Sequence, residues 1–295
     1  MTDSASASAA RSADQRVSPR RLPLKLVWHL VVLAGAVTMV YPVLWMIVSS
    51  LRPENHIFGN ASLLLTDPPK VANYVSGWLA FQRPFGMYMI NSAILSGGAV
   101  AGNVLSCSMA AYAFARLTFP GRRVGIAIVV GTLLLPGSVT FVSQYVIYSK
   151  LGLINTFAPL LLPKFLATNS FFVFLLMQFI RGIPRELDQA ARIDGCGPIR
   201  TFFVVIAPLI RPALATTAIF TFIAEWNDYL GPLVYLTKER WQTAAVALTA
   251  FGSPDGPSDY GQMFAMGLIT LVPMFVIFTI FQRSLIQGIS STGFK

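Results

Sequence analysis

Polar side chains able to bind a solute or engage a partner gather in two strings, each set between apolar runs. One string is Glu225, Trp226, Asn227 and Asp228. Glu225 and Asp228 are three apart and would share a helix face. Carboxylates and an amide bind sugar hydroxyls, and the Trp226 ring offers a flat apolar surface. The apolar run that carries them starts at about 207. A rise of about 1.5 Å per residue therefore sets Glu225 roughly 27 Å along it. That is near the far end of a hydrocarbon core about 30 Å thick. Ionisable groups at such depth face a cavity or a partner. Two readings stay open. The string lines a path for a polar solute, or it anchors the span at the interface or against another chain. Tyr41, Trp45 and Asn91 belong to the same expected outer half. They carry the same pair of readings, lining or plain packing.

The other string is 182–212, GIPRELDQAARIDGCGPIRTFFVVIAPLIRP. It reads as two short helices with a break. Pro184 stands where a first-turn proline is tolerated, and Glu186 and Asp188 follow it near a positive helix end. Leu187, Ala190, Ala191 and Ile193 give a small apolar face. Gly195 stops the first helix, because glycine accepts left-handed geometry cheaply. Pro198 opens the second helix. Pro208 and Pro212 mark entry to the next apolar run. In a mostly apolar chain this segment is a large loop outside the bilayer.

What is absent narrows the chemistry. The sequence holds no G-x-x-x-x-G-K-[ST] phosphate loop, so the chain should not hydrolyse ATP itself. Nor is there a nucleophile elbow. His29 and His56 are the only histidines. Cys107 lies in an apolar run and Cys196 in the polar loop, so neither a disulfide nor a metal site is expected. The chain should bind no cofactor of its own. The net charge of +10 raises the question of nucleic acid. The basic residues are spread along short loops without a stacking platform, which fits membrane topology instead.

Positioning these strings falls to apolar helices. The chain has 55% hydrophobic and 12% charged residues, with a mean hydropathy of +0.63. Soluble domains carry about twice that charge fraction. An all-α polytopic membrane protein with six transmembrane helices follows. Residues 1–21, rich in Ser, Ala and Arg, read as a disordered cytosolic tail, and 22–295 as the membrane domain. The spans are expected at about 26–48, 87–114, 124–148, 159–180, 207–234 and 263–281, each long enough to cross. Pro42 should kink the first, which is too long for a signal core and stays uncleaved. Pro136 and Pro163 interrupt the third and fourth, and all three prolines are candidate hinges. Gly98 and Gly102 form a G-x-x-x-G pair that permits close helix approach. External loops are expected at 51–85 and 237–261, the latter with turn signals at Gly252, Pro254, Asp255, Gly256 and Pro257. Lys and Arg favour the segments assigned to the cytosol by about two to one, including both termini, 116–123 and 182–206.

The string Pro184, Glu186, Leu187, Ala190, Ala191, Asp194, Gly195, Pro208 and Pro212 resembles the cytoplasmic EAA loop of ABC-importer permeases. The resemblance is to the carbohydrate-uptake group that includes the smaller maltose-permease subunit. Gln189 departs from it, occupying the place of the glutamate that names the motif, and Ala207 stands where leucine is common. YPVLWMIVSSLRP, Asn91–Ser92, LGLINTFAPLLLP (151–163), AEWNDYLGPLVYL (224–236) and GISSTGFK also resemble family stretches, so the likeness covers nearly everything after residue 25. It implies a type I ABC importer permease fold in a bacterial or archaeal cytoplasmic membrane. It also implies a transport subunit rather than an enzyme. The 182–206 loop, through Glu186 to Ala191, Asp194 and Gly195, would dock on a separate ATPase. The implied partners are a homologous second permease in a heterodimer, two ATPase subunits holding ATP and Mg, and an external solute-binding protein. The implied substrate is a carbohydrate, with glycerol phosphate or another polyol derivative as the alternative. The rival reading is a stand-alone secondary transporter or channel, for which only Glu225 and Asp228 qualify as coupling residues. A membrane-embedded enzyme is a third, with no catalytic constellation behind it. Co-purification of a phosphate-loop ATPase separates the three.

Overall fold

The computed structural model describes residues 21–59, 68–252 and 259–290. The expected N-terminal tail, apart from residue 21, the turn at 254–257 and residues 291–295 lie outside the described residues. All regular structure among the described residues is helical.

Helix α1 (Arg21–Ser50) keeps Pro42 inside an unbroken run. Its apolar side chains are widely exposed, Met39 to 82%, and it packs along the last helix. After a short turn at Glu54–His56 comes α2 (Ala72–Trp78). Helix α3 (Phe85–Arg116) is the centre of the molecule. The expected close approach occurs on it. A Cβ at Gly98 would come 3.0 Å from Leu161, and one at Gly102 would come 3.1 Å from the backbone of Lys164. Only a glycine face lets the neighbouring helix lie that close.

The expected third span is two helices, α4 (Arg122–Thr132) and α5 (Gly137–Lys150). Pro136 caps α5 with extended geometry. Proline also steers the residue before it away from helical dihedrals, and the run is interrupted at 133–136. The expected fourth span is likewise two helices, α6 (Ala158–Phe165) and α7 (Ser170–Arg181). Pro163 sits inside α6, and the interruption comes three residues later, with Ala167 at φ 54.

Next come α8 (Glu186–Ile193) and α9 (Pro198–Thr201), the two short helices expected in the polar loop. A π-helical turn (Phe202–Ile206) and α10 (Ala207–Leu209) lead to α11 (Arg211–Trp226), which turns off at 83°. The fifth span thus departs from the expected 207–234. The chain bends at Ile210, where Pro208 and Pro212 occupy first turns, and the helix stops at Asn227. Short helices α12 (Leu230–Tyr235) and α13 (Ala244–Ala250) precede α14 (Tyr260–Ser290).

Among the described residues, four helical stretches are long and apolar enough to cross a membrane: Val27–Ser50, Phe85–Arg116, Ala158–Arg181 and Tyr260–Gln282. The bent pair is a fifth candidate. The main core joins α3, α7 and the approach to α11 through Ala111, Tyr112, Leu176, Ile180, Ile206 and Ile210. Guanidinium groups close two helix ends. Arg116 Nη2 donates to the Ile180 and Ile183 carbonyls at 2.8 and 2.5 Å, and Arg122 Nε donates to Phe114 O at 3.0 Å. Cations stabilise such C-terminal carbonyls.

Candidate translocation path and coupling helix

Where helices break at membrane depth, freed backbone groups need partners or a cavity. The α6–α7 break gets partners from α3. Ser106 Oγ donates to Lys164 O at 2.7 Å and accepts from the Ala167 amide at 3.2 Å. Cys107 Sγ reaches Asn169 O at 3.8 Å. Thr168 Oγ1 donates to Pro163 O at 2.8 Å. Gly102 brings α3 near enough for these bonds.

Beside this break lies the ion pair that the sequence reading missed. Lys164 Nζ on α6 donates to Glu225 Oε1 on α11, with the two side chains 23% and 14% exposed. The signal was visible: a lysine inside the apolar string LLLPKFL is costly at membrane depth and demands a partner. Its identity was not visible, because 61 residues separate the two.

Glu225, Asp228 and Lys164 border one cavity of about 440 Å³, together with Gln144 of α5. Lys164 also borders a space of about 340 Å³ with Asn169, Ser170 and Thr132. Glu225 borders another of about 440 Å³ with Asn103 and Thr221. The breaks between α4 and α5, α6 and α7, and α11 and α12 all contribute to these walls. The charged cluster holds two carboxylates and one ammonium. Asp228 Oδ1 accepts from the Gly231 amide at 3.2 Å, so it also caps the start of α12.

The other path candidates stand elsewhere. Trp226 is buried, stacks on Phe222 and donates from Nε1 to Thr270 O at 3.1 Å. Asn227 donates to Ile223 O at 2.8 Å. Asn91 donates to the carbonyls of Arg240 and Gln242 at 3.0 and 2.8 Å, holding the segment before α13. Trp45 packs edge-on against Phe264. Tyr41 lies exposed on α1. None of these five is among the lining residues of the three cavities.

The polar loop is built at Gly195. Its φ is +79, as expected for a residue that ends a helix in left-handed geometry. The Cys196 amide donates to Ala191 O at 2.8 Å and the Gly195 amide to Arg192 O at 3.0 Å, the paired bonds of a Schellman cap. Arg185 occupies the N-cap of α8, so Pro184 stands just outside the helix rather than in its first turn. Glu186, Gln189, Ala190 and Asp194 are exposed. So are Leu187 and, more strongly, Ile193 at 86% and Ile199 at 68%. Asp188 and Ala191 are buried. The expected apolar face is therefore split: Leu187, Ala190 and Ile193 point outward, whereas Ala191 packs inward. Among the described residues no three His, Cys, Asp or Glu side chains gather as metal ligands would.

Residues 30–291 match the family model described as "Binding-protein-dependent transport system inner membrane component". The chain is 31% identical over 290 residues to the diacetylchitobiose uptake system permease protein NgcG of Streptomyces coelicolor, covering 98% of this chain and 93% of the relative. It is 32% identical over 259 residues to the arabinooligosaccharides transport system permease protein AraQ of Halalkalibacterium halodurans, covering 87% and 91%. In structure it is similar, at a TM-score of 0.80 and 21% identity, to a chain of a bacterial ABC transporter involved in the import of the acidic polysaccharide alginate. That likeness covers 91% of this chain and 98% of the other. The match over nearly the whole chain gives it a role in transport, not catalysis, as a multi-pass membrane protein. The chain belongs to the family of inner membrane components of binding-protein-dependent transport systems.

Proposed function

We propose that this chain is one of two homologous permease subunits in an ATP-driven importer of an uncharged carbohydrate. Two ATPase subunits, which hold the ATP and Mg, would dock on the 182–206 loop, and an external binding protein would deliver the sugar. The chain would cross the membrane six times, with the broken segment 124–148 as the third crossing and both termini cytosolic. It needs no cofactor of its own. Diacetylchitobiose and arabinooligosaccharides, named for two relatives, support a carbohydrate substrate.

The observation that carries this reading is the cavity shared by Glu225, Asp228, Lys164 and Gln144. Carboxylates and an amide accept and donate to hydroxyls. The one ammonium is already engaged by Glu225, so a phosphate would meet two carboxylates and no free cation. That favours a neutral sugar over glycerol phosphate. Glu225→Gln or Asp228→Asn in the reconstituted complex should cut uptake of a neutral oligosaccharide severalfold while the complex still assembles. Loss of assembly would make the cluster a packing element, and unchanged uptake would remove it from the path. Glycerol phosphate transported in preference to neutral sugars would overturn the substrate assignment.

A further inference from the structure

Asp188 faces away from the surface that an ATPase would meet. Its side chain is 12% exposed, and its Oδ2 lies 3.4 Å from Nε of Arg116, itself 5% exposed. Neither carboxylate oxygen accepts a hydrogen bond. Arg116 is the last residue of α3, and its Nη2 also holds the carbonyls of Ile180 at the end of α7 and Ile183 just beyond it. One guanidinium thus touches α3, α7 and α8 at once.

We infer that Arg116 and Asp188 form an internal strut that makes α8 move as one body with the adjoining ends of α3 and α7. This rests on the reading of 182–206 as the ATPase-docking loop. Removing either charge deprives the other, which is buried, of its ion-pair partner, which is unfavourable. The helix would then detach from α3 while its outward face stays intact. Arg116 and Asp188 are positioning residues. The outward residues, Ala190 and Ile193 among them, would meet the ATPase, and the strut would carry the resulting displacement to the path helices.

The protein contains its own probes. Cys196 closes the α8 cap and is half-buried, whereas Cys107 is fully buried in the core beside Ala111. Maleimide labelling of the purified transporter complex, read residue by residue by mass spectrometry, reports loosening at Cys196 and loss of the fold at Cys107. Asp188→Asn and Arg116→Gln should each speed Cys196 labelling severalfold with Cys107 still protected. The double variant should be no faster than either single one. The ATPase subunit should remain bound to Asp188→Asn. A wild-type rate at Cys196 in Asp188→Asn, multiplied effects in the double variant, or release of the ATPase by Asp188→Asn would overturn the strut. Retention of the ATPase by Ala190→Trp would instead sink the docking reading on which it rests. If Arg116→Gln exposes Cys107, Asp188→Asn, nearly the same size as the original, decides the matter.

Discussion

At the scale of single residues, Lys164 is a cation set inside an apolar run, and its value depends on Glu225. A buried pair adds little net stability, but breaking it strands an ion. Lys164→Ala should therefore destabilise the purified protein by about 3 kcal/mol, measured by denaturation in detergent. Replacing both partners by methionine should restore most of that stability without restoring transport. Equal stability in the single and wild-type proteins would mean that water reaches the pair freely. Residue identity made Glu225 and Asp228 legible as candidates, because carboxylates are rare in apolar runs. It did not reveal that Lys164 joins them, that Trp226 and Asn91 spend their polar groups on backbone carbonyls, or that Asp188 turns inward. Each depends on which helices pack together, and local sequence does not encode that packing.

At the scale of elements, glycine and proline carry most of the shape. Gly195 was legible because a left-handed cap between two short helices has one inexpensive residue type. The prolines were less so. Pro42 and Pro273 lie inside continuous helices, yet Pro136 caps the start of α5 beyond a break in the run, so the residue type alone does not say where a helix is interrupted. The 83° turn before α11 and the π-helical approach to it have no signature in hydropathy, which registers only a polar loop followed by an apolar run. The contact of α3 with α6 rests on Gly102. A leucine there would meet Phe165 and the Lys164 backbone. Overpacking of this kind costs about 1–3 kcal/mol, and the shift would also disturb the Ser106 bonds at the α6–α7 break. Gly102→Leu should lower the thermal midpoint in detergent and reduce uptake together. A stable Gly102→Leu protein with normal uptake would show that α6 has room to move away.

At the scale of the whole molecule, docking of a cytosolic ATPase on α8 and entry of sugar from outside require that α8 and the Lys164–Glu225 cluster lie toward opposite faces of the membrane. Thr201 is a poor place to test this, because it is 3% exposed. Ile193 is a good one, at 86%. In a background with Cys107 and Cys196 replaced by serine, cysteines at Ser12 and Ile193 should resist an impermeant thiol reagent in intact cells. One at Ser253 should react. Labelling of Ile193→Cys from outside would invert the topology and sever α8 from any cytosolic ATPase.

If ATP-driven motion enters this chain at α8, as proposed, co-purification of the ATPase subunit depends on the integrity of the loop around it. Ala190 is small and exposed on the outward face of α8, so a tryptophan there would fill space that a docking groove needs. Gly195→Val forces a branched side chain into left-handed geometry, at a cost of about 1–2 kcal/mol, and unravels the cap while leaving the spans untouched. Both variants should reach the membrane at wild-type levels. Neither should retain the ATPase at wild-type stoichiometry, and uptake should be lost in both. Full retention of the ATPase with wild-type uptake in both variants would contradict entry at α8.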